Sequence, residues 1–191
     1  MIKELICKNR SYRRFYEQVT IDIQTLKSLV DLARLSPSAR NLQPLKYIIS
    51  NNRTINEQIF ATLAWAGYLK DWTGPVEGER PAAYIVVAVD KSIAQGKTEH
   101  DEGIIAQSIL LGAVEKGLGG CIIASIKRQQ LAEVLNLADM YETVLVIALG
   151  KPKENVVITD VKDNNIKYFR DDNAVHHVPK RALNDIILDV K

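Results

Sequence analysis

The sequence predicts an α+β or α/β sandwich folded as a single domain spanning residues 1–191. Three observations carry this expectation. Segments with apolar residues at helical spacing alternate with short runs of β-branched and aromatic residues, the pattern of helices packed on a sheet. The length is close to that of one ordinary domain, and no repeat, low-complexity tract or composition shift divides the chain. Surface scaling gives roughly 9,000 Å² folded against roughly 31,000 Å² unfolded, so about 70% is buried and a core can form without disulfide staples.

The elements follow in order. Residues 20–35 place Leu26, Leu29, Val30 and Ala33 at helical spacing, with Thr20 or Asp22 available as N-cap. Pro37 and Pro44 end that helix and hold Ser38 to Gln43 in an extended or turning loop. Leu45–Ser50 reads as a strand and residues 54–65 as a short helix. Residues 72–81, rich in Gly, Pro and charge, form a loop. Residues 83–89 are apolar without alternation, as in a strand buried on both faces. Residues 104–114, continuing to Gly117, are apolar nearly all round, which predicts a core helix. The run Gly117-Leu118-Gly119-Gly120 stops it, and residues 121–124 form a short strand or extended loop. Residues 127–137 set Leu131, Val134 and Leu135 on one helical face. Residues 143–149 are the clearest strand, closed by Gly150-Lys151-Pro152.

Composition excludes several function classes. Lys plus Arg is 25 and Asp plus Glu is 23, a net charge of +2, too small an excess for a general nucleic-acid binder. The two cysteines, Cys7 and Cys121, are too few for a disulfide scaffold and fit a reduced chain. The most apolar stretch has 11 residues and includes Gln107 and Ser108, against about 20 needed to cross a bilayer. The first residues lack an apolar signal core, so a cytoplasmic protein without a membrane partner is expected.

Four motifs hold the chemistry-bearing residues. Arg10-Ser11-Tyr12-Arg13-Arg14-Phe15 offers three guanidiniums and hydroxyls suited to a phosphate, or, taken alone, a solvated basic surface. Ser36-Pro37-Ser38-Ala39-Arg40-Asn41-Leu42-Gln43-Pro44 is a stiff loop whose amides can read the edge of a heterocycle, or can merely follow a helix. The glycine run before Cys121 follows a helix and lacks the G-x-G-x-x-G spacing, so a Rossmann fingerprint is rejected; Leu118 stands where a P-loop needs Lys. His176-His177 with Lys180-Arg181 forms no zinc pattern, and no metal is expected. Cys121 reads as a buried structural cysteine. Trp65, Tyr68 and Trp72 read as core, with a pocket lid as the alternative.

In this order, Arg10-Ser11-x-Arg13-x-Phe15, Ser36-Pro37-Ser38-Ala39-x-Asn41-x-Gln43-Pro44, Gly117-Leu118-Gly119-Gly120-Cys121 and Ala148-Leu149-Gly150-Lys151-Pro152 resemble the FMN-dependent nitroreductase family. Pro179-Lys180-Arg181-Ala182-Leu183 resembles its closing basic segment, so the likeness spans residues 2–187. The resemblance implies a nitroreductase-like α-β-α sandwich with a central mixed, mainly antiparallel sheet, in an intertwined homodimer. It implies FMN as cofactor, with Arg10, Ser11 and Arg13 on the phosphate and Lys180 or Arg181 assisting. It implies that Pro37, Ser38, Ala39, Asn41 and Gln43 approach the flavin from the partner subunit. A backbone amide near flavin N5 corresponds to Ala124, with Ile122, Ile123 and Ser125 beside it. Two departures stand out: Asn9 where many members carry a basic residue, and Leu45 where many carry an aromatic.

The implied activity is electron transfer from NAD(P)H through the flavin to a nitroaromatic, quinone or similar acceptor in a ping-pong cycle. No catalytic side chain is then expected, because the cofactor carries the redox chemistry. The alternative is a flavin-binding sensor or flavin-handling protein of the same fold. NAD(P)H consumption under saturating acceptor separates the two.

Overall fold

The computed structural model describes residues 1–191. Four strands form the central sheet: β1 (Leu45–Ser50), β2 (Ala83–Asp90), β3 (Gly119–Ile123) and β4 (Tyr141–Gly150). Their order is β1-β2-β4-β3 and every pairing is antiparallel, with Leu45 opposite Val89 and Gly119 opposite Gly150. One parallel bridge, Ser11 to Gly120, adds the N-terminal segment to the β3 edge.

Alternation along β2 feeds two cores. Ala83, Ile85, Val87 and Val89 pack against α2 (Ile23–Arg34) and α4 (Glu99–Glu115) through Leu26, Leu29, Ile105 and Ile109. Tyr84 and Val86 face the other way, against Ile59 of α3 (Arg53–Ala61) and Leu131 of α5 (Arg128–Leu135). All eight β2 residues are buried, as an apolar run without alternation requires. The result is an α-β-α sandwich. Its helices sit where the apolar spacing placed them, save that α3 ends at Ala61, short of the expected residue 65, and Asp22 is the cap of α2, accepting the Thr25 N–H at 2.7 Å.

Three features were not read from the sequence. A short helix α1 (Ile2–Lys8) precedes the Arg10 motif and buries none of its residues. Helix α4 starts at Glu99, five residues before its apolar run, because Glu99, Asp101 and Glu102 favour the positive end of a helix. A second sheet of β5 (Val156–Asp160), β6 (Phe169–Arg170) and β7 (His176–Lys180) has the order β5-β7-β6, parallel then antiparallel. It follows the main sheet and folds back over the Arg10 motif. No helix is long and apolar enough to cross a membrane.

Candidate active site

The Arg10–Phe15 segment is extended because the main sheet leaves it an edge. The Tyr12 N–H donates to the Gly120 carbonyl at 3.0 Å, and the Phe15 N–H to the Glu79 carbonyl at 3.0 Å. Phe15 is fully buried and anchors the far end. Gly119 permits this approach: a Cβ there would stand 2.5 Å from the Tyr12 ring, so Gly119 is a seat for the basic segment. Gly120 instead lets β3 lie close on β4, where a Cβ would stand 2.4 Å from the Ala148 carbonyl oxygen.

Arg10, Ser11 and Arg13 then face a cavity of about 260 Å³ together with Ile122, Tyr168, His176 and Lys180. No Asp or Glu lines it. Arg13 lies over the Tyr168 ring at 4.8 Å, and its Nη1 donates to the Ser11 carbonyl at 3.2 Å. Its backbone N–H is bound by the buried Glu154 carboxylate, whose other oxygen accepts from Arg170 at 3.1 Å. Arg10 donates through Nη2 to the Ile6 carbonyl at 2.7 Å, capping the end of α1, while its Nε is buried without a partner. His176 is fully buried beside these guanidiniums, 3.4 Å from Arg13. Burial first, then Arg13 and Arg170, hold its pKa down at about 4, so it is neutral near pH 7. The cavity is a cationic cradle with donors and no competing carboxylate, a geometry that can hold a phosphate.

A smaller cavity of about 120 Å³ adjoins through Arg13 and Ile122, and Ile123, Ala124 and Ser125 line it where β3 ends. Cys121 and Trp65 close its inner side. Burial pushes the Cys121 thiol pKa up, which keeps it a thiol and agrees with a structural role.

The 36–44 loop lies elsewhere. Pro37, Ser38 and Gln43 line a separate cavity of about 230 Å³ with Tyr47 and Asp101. Asp101, buried in the first turn of α4, accepts the Ser38 hydroxyl at 2.5 Å and the Ala39 N–H at 3.0 Å. Ser38 in turn accepts the Gln43 N–H at 2.9 Å. This bracing holds Arg40, Asn41 and Gln43 at φ of 52°, 55° and 51°, a region that residues other than Gly and Asn seldom enter. Ala39, Asn41 and Gln43 are exposed, and the Gln43 side chain donates to Asn41 Oδ1 at 3.1 Å.

Thus one chain gathers Arg10, Ser11, Arg13, Lys180 and Ile122 in one cavity and extends it through Ile123 to Ser125. It leaves Pro37 to Gln43 apart, and Arg181 points away to Asn164 Oδ1 at 3.2 Å. Sequence reasoning missed Glu154, Tyr168 and Asp101, and weighed His176 as a metal ligand. One signal was available: residues 176, 178 and 180 share one face of a strand, and His176, Val178 and Lys180 all line the cavity.

A family model described as "Nitroreductase family" matches residues 6–151. A protein of Methanothermobacter thermautotrophicus named "Putative NADH dehydrogenase/NAD(P)H nitroreductase" is 29% identical over 168 residues, covering 85% of this chain and 83% of its own length. Among solved structures, a nitroreductase family protein from Streptococcus pneumoniae TIGR4 has a TM-score of 0.69 at 16% identity, covering 100% of both chains. An FMN-dependent nitroreductase from Clostridium difficile R20291 has a TM-score of 0.64 at 23% identity, covering 86% of this chain and 93% of that one. At such identities the two structures speak for the fold. The family match runs from the cationic segment to the strand that ends at Gly150, well over half of the chain, and with it the chain belongs to the nitroreductase family.

Proposed function

We propose that this protein is an FMN-dependent NAD(P)H oxidoreductase that works as a homodimer and reduces a nitroaromatic, quinone or similar acceptor. One observation carries the reading: Arg10, Arg13 and Lys180 converge with the Ser11 hydroxyl on a cavity that no carboxylate lines. Three like charges gathered without a counter-charge call for an anion, and a phosphate monoester meets planar guanidinium donors well.

The chemistry FMN supplies when bound is electron transfer, from NAD(P)H in one half-reaction and to the acceptor in the other. Arg10, Arg13 and Lys180 neutralise its phosphate, and Ser11 donates to a phosphate oxygen. Glu154 and Tyr168 fix the course and orientation of Arg13. Ile122, Ile123, Ala124 and Ser125 would border the ring, with the Ala124 backbone N–H as the donor available toward N5. Pro37, Ser38, Ala39, Asn41 and Gln43 of a second copy cover the ring, the two carboxamides reading its polar edge. Their separation from the cationic cavity within one chain supports this sharing. Arg181, engaged with Asn164, leaves the phosphate to Lys180.

Purified protein is expected to be yellow, to release FMN on denaturation, and to oxidise NAD(P)H when a nitroaromatic or quinone is added. A colourless protein whose melting is unmoved by FMN overturns the proposal.

A further inference from the structure

Two aromatic side chains that line neither cavity of the site are tied to its phosphate end. Tyr68 and Trp72 lie on the irregular segment between α3 and β2. Tyr68 is 47% exposed, so core packing does not account for its place. Its ring stands 4.9 Å from that of Tyr168, tilted by 53°, and its backbone N–H donates to the Tyr168 hydroxyl at 3.4 Å. The Arg170 guanidinium lies over the Trp72 ring at 4.3 Å. The same segment begins at Trp65 and Ala66, which line the smaller cavity.

Tyr168 and Arg170 flank Phe169, so they share one face of the second sheet, while Phe169 stacks on His177 at 4.8 Å on the other. Both of them act on Arg13. Tyr168 carries the Arg13 guanidinium over its ring at 4.8 Å. Arg170 pairs at 3.1 Å with Glu154, whose other oxygen holds the Arg13 backbone N–H. The Glu154 side chain is fully buried, so Arg170 cannot turn away without leaving a buried carboxylate uncompensated. Two chains of contact thus run from one segment to one arginine, the first to its guanidinium and the second to its backbone. We propose that Tyr68 and Trp72 are positioning residues for the phosphate grip: Tyr68 clamps Tyr168 beneath Arg13, Trp72 holds Arg170 on Glu154, and together they keep Arg13 aimed into the cavity. The inference rests on the FMN reading for the phosphate that Arg13 meets.

Fluorescence titration of the full-length chain with FMN and with riboflavin tests it, because riboflavin has the same ring and lacks the phosphate. Tyr68→Ala and Trp72→Ala each weaken FMN by about 2- to 10-fold, as the loss of one aromatic or cation–π contact predicts. Inorganic phosphate, followed by phosphorus NMR, weakens in step with FMN, and riboflavin does not. Tyr68→Phe keeps the ring and binds FMN as the wild type does. In a Tyr168→Leu background Tyr68→Ala adds nothing further, since its route to Arg13 is gone. Equal FMN affinity of Tyr68→Ala and wild type overturns the proposal, as does an equal loss for FMN and riboflavin, which would make Tyr68 a support of the fold. Additive losses from Tyr68→Ala and Tyr168→Leu overturn it too. A wild type that ignores FMN, yet binds phosphate more tightly than Tyr68→Ala does, overturns the cofactor reading and upholds the positioning role.

Discussion

Arg13 lays its guanidinium over the Tyr168 ring, whereas Arg14, one residue on and facing the other way, grips Glu79 through Nε at 2.5 Å and Nη2 at 2.7 Å. The two substitutions therefore part company. A charge-assisted hydrogen bond contributes about 1.5–3 kcal/mol, so Arg13→Ala is expected to weaken FMN binding by about 10- to 150-fold while the apoprotein melts nearly as before. Arg14→Ala keeps its FMN affinity but lowers the melting temperature by roughly 3–12 °C, from the same 1.5–3 kcal/mol at 2–4 °C per kcal/mol. Fluorescence quenching titrations and apoprotein melting curves read both; equal FMN affinity in Arg13→Ala and wild type removes Arg13 from the phosphate grip. His176 gives a pH dependence. Its pKa falls from 6.5 to about 4 on folding, so below pH 6.5 the unfolded chain binds a proton that the folded chain refuses. The stability it contributes is full above pH 6.5 and is lost as the pH falls toward 4. Glu79, held at about 2 by Arg14 and Lys153, acts lower, between its ordinary 4.5 and 2. Apoprotein melting across these windows should lose the upper slope in His176→Gln and keep the lower one; an unaltered upper slope assigns it to another group.

At the scale of elements, Gly119 and the first turn of α4 work as seats for the segments above them. A Cβ on Gly120 meets a backbone oxygen, which cannot swing aside as a side chain can. Gly120→Ala is expected to cost about 1–3 kcal/mol, because β3 must move off Ala148 of β4; Gly119→Ala, whose Cβ would meet the Tyr12 ring, is expected to weaken FMN binding as well, and a Gly119→Ala variant that melts and binds as wild type refutes the seat. Asp101→Ala frees Ser38 and Ala39, so the 36–44 loop should become more protease-sensitive, and the phosphate grip should still bind inorganic phosphate. Sequence alone made the main sheet legible, since residues 83–89 and 143–149 are long apolar runs with one physical reading. It hid the second sheet because β7 contains Pro179 and paired histidines and β6 has two residues, too short for periodicity. The Arg10 and Ser38 motifs were legible as donors, yet their partners Glu154 and Asp101 lie 141 and 63 positions away and no local pattern links them. Lys180 rather than Arg181 in the cavity follows only once β7 is known to be a strand.

The whole molecule decides between two geometries for the site. In one chain the loop residues and the cationic cavity are separate, so either the loop serves its own chain through a large movement or it serves a second copy. Light scattering at about twice 21.4 kDa is the first expectation, and a flavin-loaded monomer would contradict sharing. Stoichiometry discriminates further. Consider a dimer of one Arg13→Ala chain and one chain with Asn41 and Gln43 both changed to Ala, isolated through two different affinity tags. If the loop acts across the interface, the site built from the second chain's arginines and the first chain's loop is intact, and the other site carries both defects. Such a mixed dimer holds one FMN per two chains and keeps about half the NAD(P)H oxidation of the wild type. If the loop acts within its own chain, each site carries one defect and no full-affinity site survives. At an FMN concentration that saturates wild type but lies below the weakened dissociation constants, the mixed dimer then comes out nearly colourless. A colourless mixed dimer beside a yellow wild-type dimer would thus reject the shared site while leaving FMN as the cofactor.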